Sequence, residues 1–209
     1  MSHNLYEEMP VYSGTPQPLF QPATTFERDG FRETWLQLGS HTGTHVDAPA
    51  HMILGGAFLH ELPAAAFVGE GLVMDVAAFA GGEIPPAHFQ ARRKQLEHCE
   101  FLLLRSGYDS LWGHDEYYRG FPLLSAEAAA YLAALPRLRG IGLDMISIDD
   151  ATSETYPNHH MMLGAGKVVV ENLTNLGELS GASFIFVALP LKFPYADGSP
   201  VRAVAIELP

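Results

Sequence analysis

Apolar residues fall in short runs separated by Gly, Pro and polar clusters. That is the pattern of short strands and helices joined by tight turns. Phe101-Leu102-Leu103-Leu104 is continuously apolar, as a strand buried on both faces requires. Leu72-Val73-Met74-Asp75-Val76 and Ile141-Gly142-Leu143-Asp144 read as two further strands, and Phe184 to Phe193 as a longer buried strand carrying Lys192 near its end. Arg32 to Leu38 alternates in part and predicts a strand, preceded by an Asp29-Gly30 turn signal between two β-like runs. Helix signals lie between the strands. Pro86 suits a first helical position, and the polar run to His98 continues from it. Ser125 is a plausible N-cap, with Glu127 in the first turn of an Ala-rich helix that ends before Pro136. Residues 5–22, rich in Pro and aromatics, predict extended irregular chain. Strands interleaved with helices place the chain in the α/β class.

Bulk properties narrow the field. The 209 residues, 47% apolar, can bury a sizeable core, and one domain over 1–209 is expected. A formal charge of −12 argues against nucleic acid or an anionic membrane as partner, and is compatible with cation binding. No apolar run reaches the length of a membrane span. Cys99 is the single cysteine, so no internal disulfide is expected. With no basic stretch leading into an apolar core at the N-terminus, the expected location is a reducing cytoplasm. Several polar segments have ordinary readings. Trp112 to Tyr118 reads as a solvated loop, and Arg105-Ser106-Gly107-Tyr108 as either a functional loop or a strand-end turn. Asp144, Asp149 and Asp150 read as turn caps or arginine partners. Gly164-Ala165-Gly166-Lys167 lacks the full phosphate-loop pattern, with Val168 where a hydroxyl is needed.

The chemistry concentrates in His41-Thr42-Gly43-Thr44-His45-Val46-Asp47-Ala48-Pro49-Ala50-His51, where three imidazoles and one carboxylate fall within eleven residues. Gly43, Pro49 and the β-branched Thr42, Thr44 and Val46 make this a poor helix. In extended chain His45 and Asp47 point to one side, roughly 7 Å apart at the backbone. His41 would then lie about 13 Å from His45 unless the chain bends. Gly43 permits that bend, and Pro49 offers a second that could return His51 to the same centre. A polar turn with satisfied histidines is the bland alternative. Four convergent ligand-type groups around a glycine favour a divalent metal site. Neither a zinc finger nor a His-Glu-x-x-His helix fits, since there is no cysteine pair and Thr42-Gly43 fills the middle. Nitrogen and oxygen donors without thiolate suit zinc or manganese. His41, His45 and Asp47 would leave an open position for water, with His51 beyond the set. Glu171, at the end of the apolar run Val168-Val169-Val170, needs a metal or an arginine if it is buried.

The spacing His-x-Gly-Thr-His-x-Asp-x-Pro-x-His resembles the signature of the metal-dependent cyclase family, which includes bacterial kynurenine formamidases and isatin hydrolases. The resemblance covers nearly the whole chain. It implies a mixed-sheet, swivelling β/β/α-type domain that forms a homodimer and hydrolyses an amide-like C–N bond in a small molecule. It assigns His51 the catalytic proton transfer and Tyr12, in Met9-Pro10-Val11-Tyr12, an aromatic contact with substrate. Relatives carry a Glu twelve positions after a His, a spacing met here by His159 and Glu171. The resemblance therefore implies a second metal held by His159, Glu171 and a bridging Asp47. N-formylkynurenine is the first substrate candidate, and isatin-like cyclic amides the second. The alternative class is a non-catalytic metal-binding or interaction protein that keeps the fold.

Overall fold

The apolar run at 101–104 lies in the middle of an eight-stranded mixed sheet. The computed structural model describes residues 1–179 and 183–207. In chain order the strands are β1 (Leu19–Thr24), β2 (Glu33–Gln37), β3 (His45–Asp47), β4 (Val68–Asp75), β5 (Glu83–Ile84), β6 (Phe101–Arg105), β7 (Leu123–Leu124), β8 (Gly140–Leu143), β9 (Val168–Glu171), β10 (Phe184–Val187), β11 (Gly198–Pro200) and β12 (Val204–Glu207). The helices are α1 (Phe26–Asp29), α2 (Pro86–Gln90), α3 (Arg93–Leu96), α4 (Ala126–Ala133) and α5 (Pro157–Gly164). The large sheet has the order β11-β3-β9-β8-β6-β4-β10-β12. Its centre, β9-β8-β6-β4, is parallel, and the strands outside it pair antiparallel.

Parallel strands with both faces covered need apolar residues of both parities. Leu102, Leu104, Ile141, Leu143 and Val169 pack on one face with α2, α4 and α5. Phe101, Leu103, Val168, Val170, Phe184 and Phe186 pack on the other, with Val46. Gly142 in β8 answers a close approach, since a Cβ there would fall 2.6 Å from Leu103 Cδ2 and 2.7 Å from Leu173 Cδ1. Helix α4 starts where expected, with Ser125 Oγ accepting from the Ala128 N–H at 3.2 Å.

Other expectations need correction. The Asp29-Gly30 signal does not make a two-residue turn: α1 fills the connection, and Gly30 ends it in the left-handed region. The helix begun at Pro86 breaks at Ala91–Arg92 into α2 and α3. Strand β10 ends at Val187 rather than running to Phe193, and Leu189, Leu191 and Phe193 are exposed. Residues 112–118 are a solvated loop only at 113–116, which are exposed: Tyr117 is fully buried and Trp112 packs on the core. Helix α5, which had no clear apolar period to announce it, packs against α4 and β9. Among the described residues, no helix is long and apolar enough to cross a membrane. The hairpin β1–β2 forms its own two-stranded sheet, with every residue of β2 exposed.

Candidate metal centre

Strand pairing builds the floor of the site. Antiparallel β3 and β9 set His45 opposite Glu171 and Asp47 opposite Val169. Directly opposed residues share a face, here the face that Val169 buries against α5. Gly43 takes φ +64° and supplies the bend that a straight strand lacks. Leu5 closes over it, 2.4 Å from where a Cβ would sit. The bend brings the His41 ring to 5.1 Å from that of His45, between centroids. A 3-10 turn at Pro49–His51 then returns the His51 ring to 3.9 Å from His41 and 6.0 Å from His159. His159 comes from the first turn of α5, whose start is fixed by Asp149. One carboxylate oxygen accepts from the Asn158 N–H at 2.9 Å, and the other from the His159 N–H at 3.0 Å.

The ring nitrogens are sorted by what they can donate to. His45 Nδ1 donates to the Gly43 carbonyl at 2.8 Å, and His159 Nδ1 to Asp149 at 2.8 Å. Their Nε2 atoms therefore turn inward. His45 Nε2 lies 3.3 Å from Asp47 Oδ1 and 3.5 Å from Glu171 Oε2. His159 Nε2 lies 3.3 Å from Glu171 Oε1 and 3.7 Å from Asp47 Oδ2. Donors around one tetrahedral ion sit about 3.3 Å apart, as bonds of about 2.05 Å require. Asp47 is completely buried, yet its Oδ2 has no hydrogen-bond partner. A buried carboxylate with one orphaned oxygen, set 3.3–3.7 Å from two imidazole nitrogens, fits a divalent cation. Two overlapping donor triads share Asp47: His41, His45 and Asp47, and Asp47, His159 and Glu171. His41, like His159, has both nitrogens facing carboxylates, Nδ1 towards Asp47 at 2.7 Å and Nε2 towards Asp197 at 3.0 Å.

The electrostatics express the same demand for positive charge. Burial opposes protonation of His159, but the hydrogen bond to Asp149 and the facing carboxylates of Asp47 and Glu171 outweigh it and raise its pKa to about 12. His41 follows the same pattern: burial is outweighed by Asp47 and Asp197, which raise it to about 9. Asp47 is held well below the usual carboxylate range, because the surrounding imidazoles overcome its desolvation. His51 is pushed down by burial and stays neutral. Two buried carboxylates thus draw in whatever cation is within reach.

The donors open into a cavity of about 430 Å³ whose apolar wall includes Tyr12, Met52, Ile146 and Tyr156. The Tyr12 hydroxyl donates to the Ala151 carbonyl at 3.1 Å, and burial, then Tyr156, raises its pKa to about 12. All seven residues singled out from the sequence meet here: Tyr12, His41, His45, Asp47, His51, His159 and Glu171. His160 is exposed instead. Sequence reasoning passed over Asp197, which approaches His41 and comes within 3.6 Å of His51 Nδ1. It also set Asp149 aside as a turn cap; Asp149 does cap α5, and it also grips His159.

The sequence model of the family described as "Putative cyclase" matches residues 1–150, and the chain belongs to that family. The chain is 33% identical over 172 residues to the kynurenine formamidase of Bacillus cereus, covering 81% of this chain and 77% of that one. The kynurenine formamidase of Bacillus cytotoxicus is 30% identical over 206 residues, 98% of this chain and 94% of its own. Among solved structures, isatin hydrolase A from Labrenzia aggregata superposes with a TM-score of 0.86 at 25% identity, over 99% of this chain and 91% of that one. A potential metal-dependent hydrolase with cyclase activity does so with a TM-score of 0.80 at 28% identity, over 100% and 96%.

Proposed function

We propose that the protein is a metal-dependent hydrolase of an amide-like C–N bond, of the arylformamidase or cyclic-amide type. One observation carries the reading: the buried Asp47 carboxylate lies between two imidazoles, Oδ1 at 3.3 Å from His45 Nε2 and Oδ2, without a hydrogen-bond partner, at 3.7 Å from His159 Nε2, at the base of an aromatic-walled cavity. The names of the relatives support the same chemistry. His41, His45 and Asp47 would hold one ion, and Asp47, His159 and Glu171 a second, zinc or manganese. A divalent ion supplies Lewis acidity there, polarising a carbonyl oxygen and making water more acidic.

The chain's own groups do the rest. His45 and His159 commit their Nδ1 protons to Gly43 O and Asp149, so each would offer Nε2 to a bound ion, His159 by releasing the proton that the surrounding carboxylates otherwise hold on it. His51, neutral through burial, accepts a proton from the attacking water and returns it to the leaving nitrogen. Water adds to the carbonyl carbon, the C–N bond breaks, and a carboxylate and an amine result. Tyr12, tethered through its hydroxyl, gives an aromatic substrate a fixed ring to pack against. N-formylkynurenine is the first candidate and an isatin-like cyclic amide the second.

We place the chain as one domain in a homodimer. Phe26, Phe31, Trp35 and Leu36 are exposed on or beside a two-stranded hairpin, a unit that is marginal alone. A reducing cytoplasm agrees with the buried free thiol of Cys99.

The test begins with protein purified without chelator and assayed on N-formylkynurenine, formanilides and isatin. We expect roughly one to two metal equivalents per chain, and turnover that chelation abolishes and metal restores. Full activity without metal, or no hydrolysis by metal-loaded protein, refutes the reading.

A further inference from the structure

We propose that Asn172 is a positioning residue that fixes the direction and tautomer of His45 by sharing the Gly43 carbonyl with it; the proposal rests on the metal reading above. Asn172 follows Glu171 directly, is almost fully buried, and takes φ +57°. Asparagine tolerates that left-handed conformation better than most residues. Each of its polar groups is committed. Its N–H donates to the Met145 carbonyl at 3.0 Å. Its carbonyl accepts from Thr44 Oγ1 at 2.5 Å. Its side chain donates from Nδ2 to the Gly43 carbonyl at 3.0 Å and accepts at Oδ1 from the Tyr117 hydroxyl at 2.7 Å.

Asn172 therefore grips both residues that precede His45: the carbonyl of Gly43 and the hydroxyl of Thr44. That same Gly43 carbonyl accepts the His45 Nδ1 proton at 2.8 Å. A carbonyl oxygen has two lone pairs. With one held by Asn172, the other is aimed at the imidazole, and the ring proton has one fixed place to go. The Nε2 lone pair then points towards Asp47 and Glu171. Without the amide, the carbonyl is free to turn. His45 can then move its proton to Nε2 and satisfy the neighbouring carboxylates itself, which removes the lone pair a metal needs.

Tyr117 removes the remaining freedom. The Gly43 carbonyl can only accept, so the amide nitrogen must face it, and the amide oxygen is left to accept from the phenol O–H, which holds the amide plane in place. Burial, reinforced by nearby carboxylates, keeps the phenol protonated and a donor. Tyr117 itself lies outside the cavity lining. The chain thus joins the segment around residue 117, the end of β9 and the bend before β3 through consecutive hydrogen bonds.

The experiment uses ¹⁵N-labelled, metal-free full-length protein. Ring ¹⁵N–¹H correlation spectra read the His45 tautomer, and competition with a chromophoric chelator reads zinc affinity. Asn172→Gly keeps the left-handed backbone and removes the amide. Asn172→Asp keeps the shape and replaces the donor by an acceptor. We expect His45 to be the Nδ1–H tautomer in the wild type and mixed in both variants, with zinc affinity lower by roughly ten- to a hundredfold. Tyr117→Phe should shift both readouts in the same direction by less, and it serves if the Asn172 variants fold poorly. An unchanged tautomer in the variants overturns the proposal, even if their melting temperature falls, because it marks a purely structural role. So does zinc affinity within about twofold of wild type, far short of the expected loss. A wild type that binds no zinc would overturn the metal reading instead, while the metal-free spectra would still decide the role of Asn172.

Discussion

Replacing Asp149 by asparagine exchanges one carboxylate oxygen for an amide nitrogen and removes one charge. The wild-type carboxylate accepts three hydrogen bonds, from the Asn158 N–H, the His159 N–H and His159 Nδ1. An asparagine amide offers one oxygen. In one orientation its NH₂ faces His159 and opposes both the ring and the backbone N–H. In the other it faces the Asn158 N–H. Either way a buried donor is stranded, at a cost of about 1–3 kcal/mol. The lost charge at the start of α5 adds about 0.3–1 kcal/mol. With 2–4 °C per kcal/mol for a chain of this size, the metal-free protein should melt roughly 3–15 °C lower. Metal affinity should fall about ten- to a hundredfold, or 1.4–2.7 kcal/mol, because His159 loses the partner that orients its ring and raises its basicity. Chelator competition measures the affinity and calorimetry the melting point. Asp150→Asn is the control, since Asp150 is exposed and its side chain accepts from Thr152, away from the site. Equal affinities for Asp149→Asn, Asp150→Asn and wild type would refute the argument.

Asp47→Asn should release metal and activity together, because Asp47 belongs to both donor triads; retention of metal at wild-type affinity would show that it is only a turn residue. His51→Ala should keep its metal and lose roughly a hundred- to ten-thousandfold in rate. If it loses metal as readily as His45→Ala, His51 is a ligand instead. His3 stacks on Trp112 at 3.9 Å, and burial lowers its pKa to about 4. Between about 6.5 and 4 the unfolded chain therefore holds the extra proton, so stability is full above that window and falls as pH drops through it. Discounted for partial exposure, the loss is about 1–2 kcal/mol. His3→Phe keeps the stack and should flatten this limb of an acid denaturation curve; an unchanged limb sinks the assignment.

Local rules were enough for elements whose burial is uniform. Leu102 to Leu104 could only be a strand covered on both sides, and Ser125 could be read as a cap because the cap bond is local. They failed where the deciding contact lies far along the chain. Nothing near Tyr117 signals that its hydroxyl meets Asn172, so its segment looked solvated. Phe184 to Phe193 looked like one strand because it is apolar up to Lys192, but Pro190 and the pairing lengths of β4 and β12 stop it at Val187. The bend at Gly43 was legible, since backbone freedom is a property of the residue. The partners that orient the rings were not. Asp149 is ten residues from His159, and Asp197 is 156 from His41. The sheet order alone brings Asp197 close.

That order has a consequence for assembly. Strand β3 lies between β9 and β11, which are made more than a hundred residues later. As the chain leaves the ribosome, His41, His45 and Asp47 emerge early but have neither neighbour until Glu171 and then Gly198 have followed. Such long-range pairing is slow to form. A tightly bound ion therefore enters as a late clasp on a finished sheet rather than as a seed for it. Its binding free energy adds to the stability of the native state alone. Withholding metal should thus leave the rate of refolding nearly untouched and appear as faster unfolding.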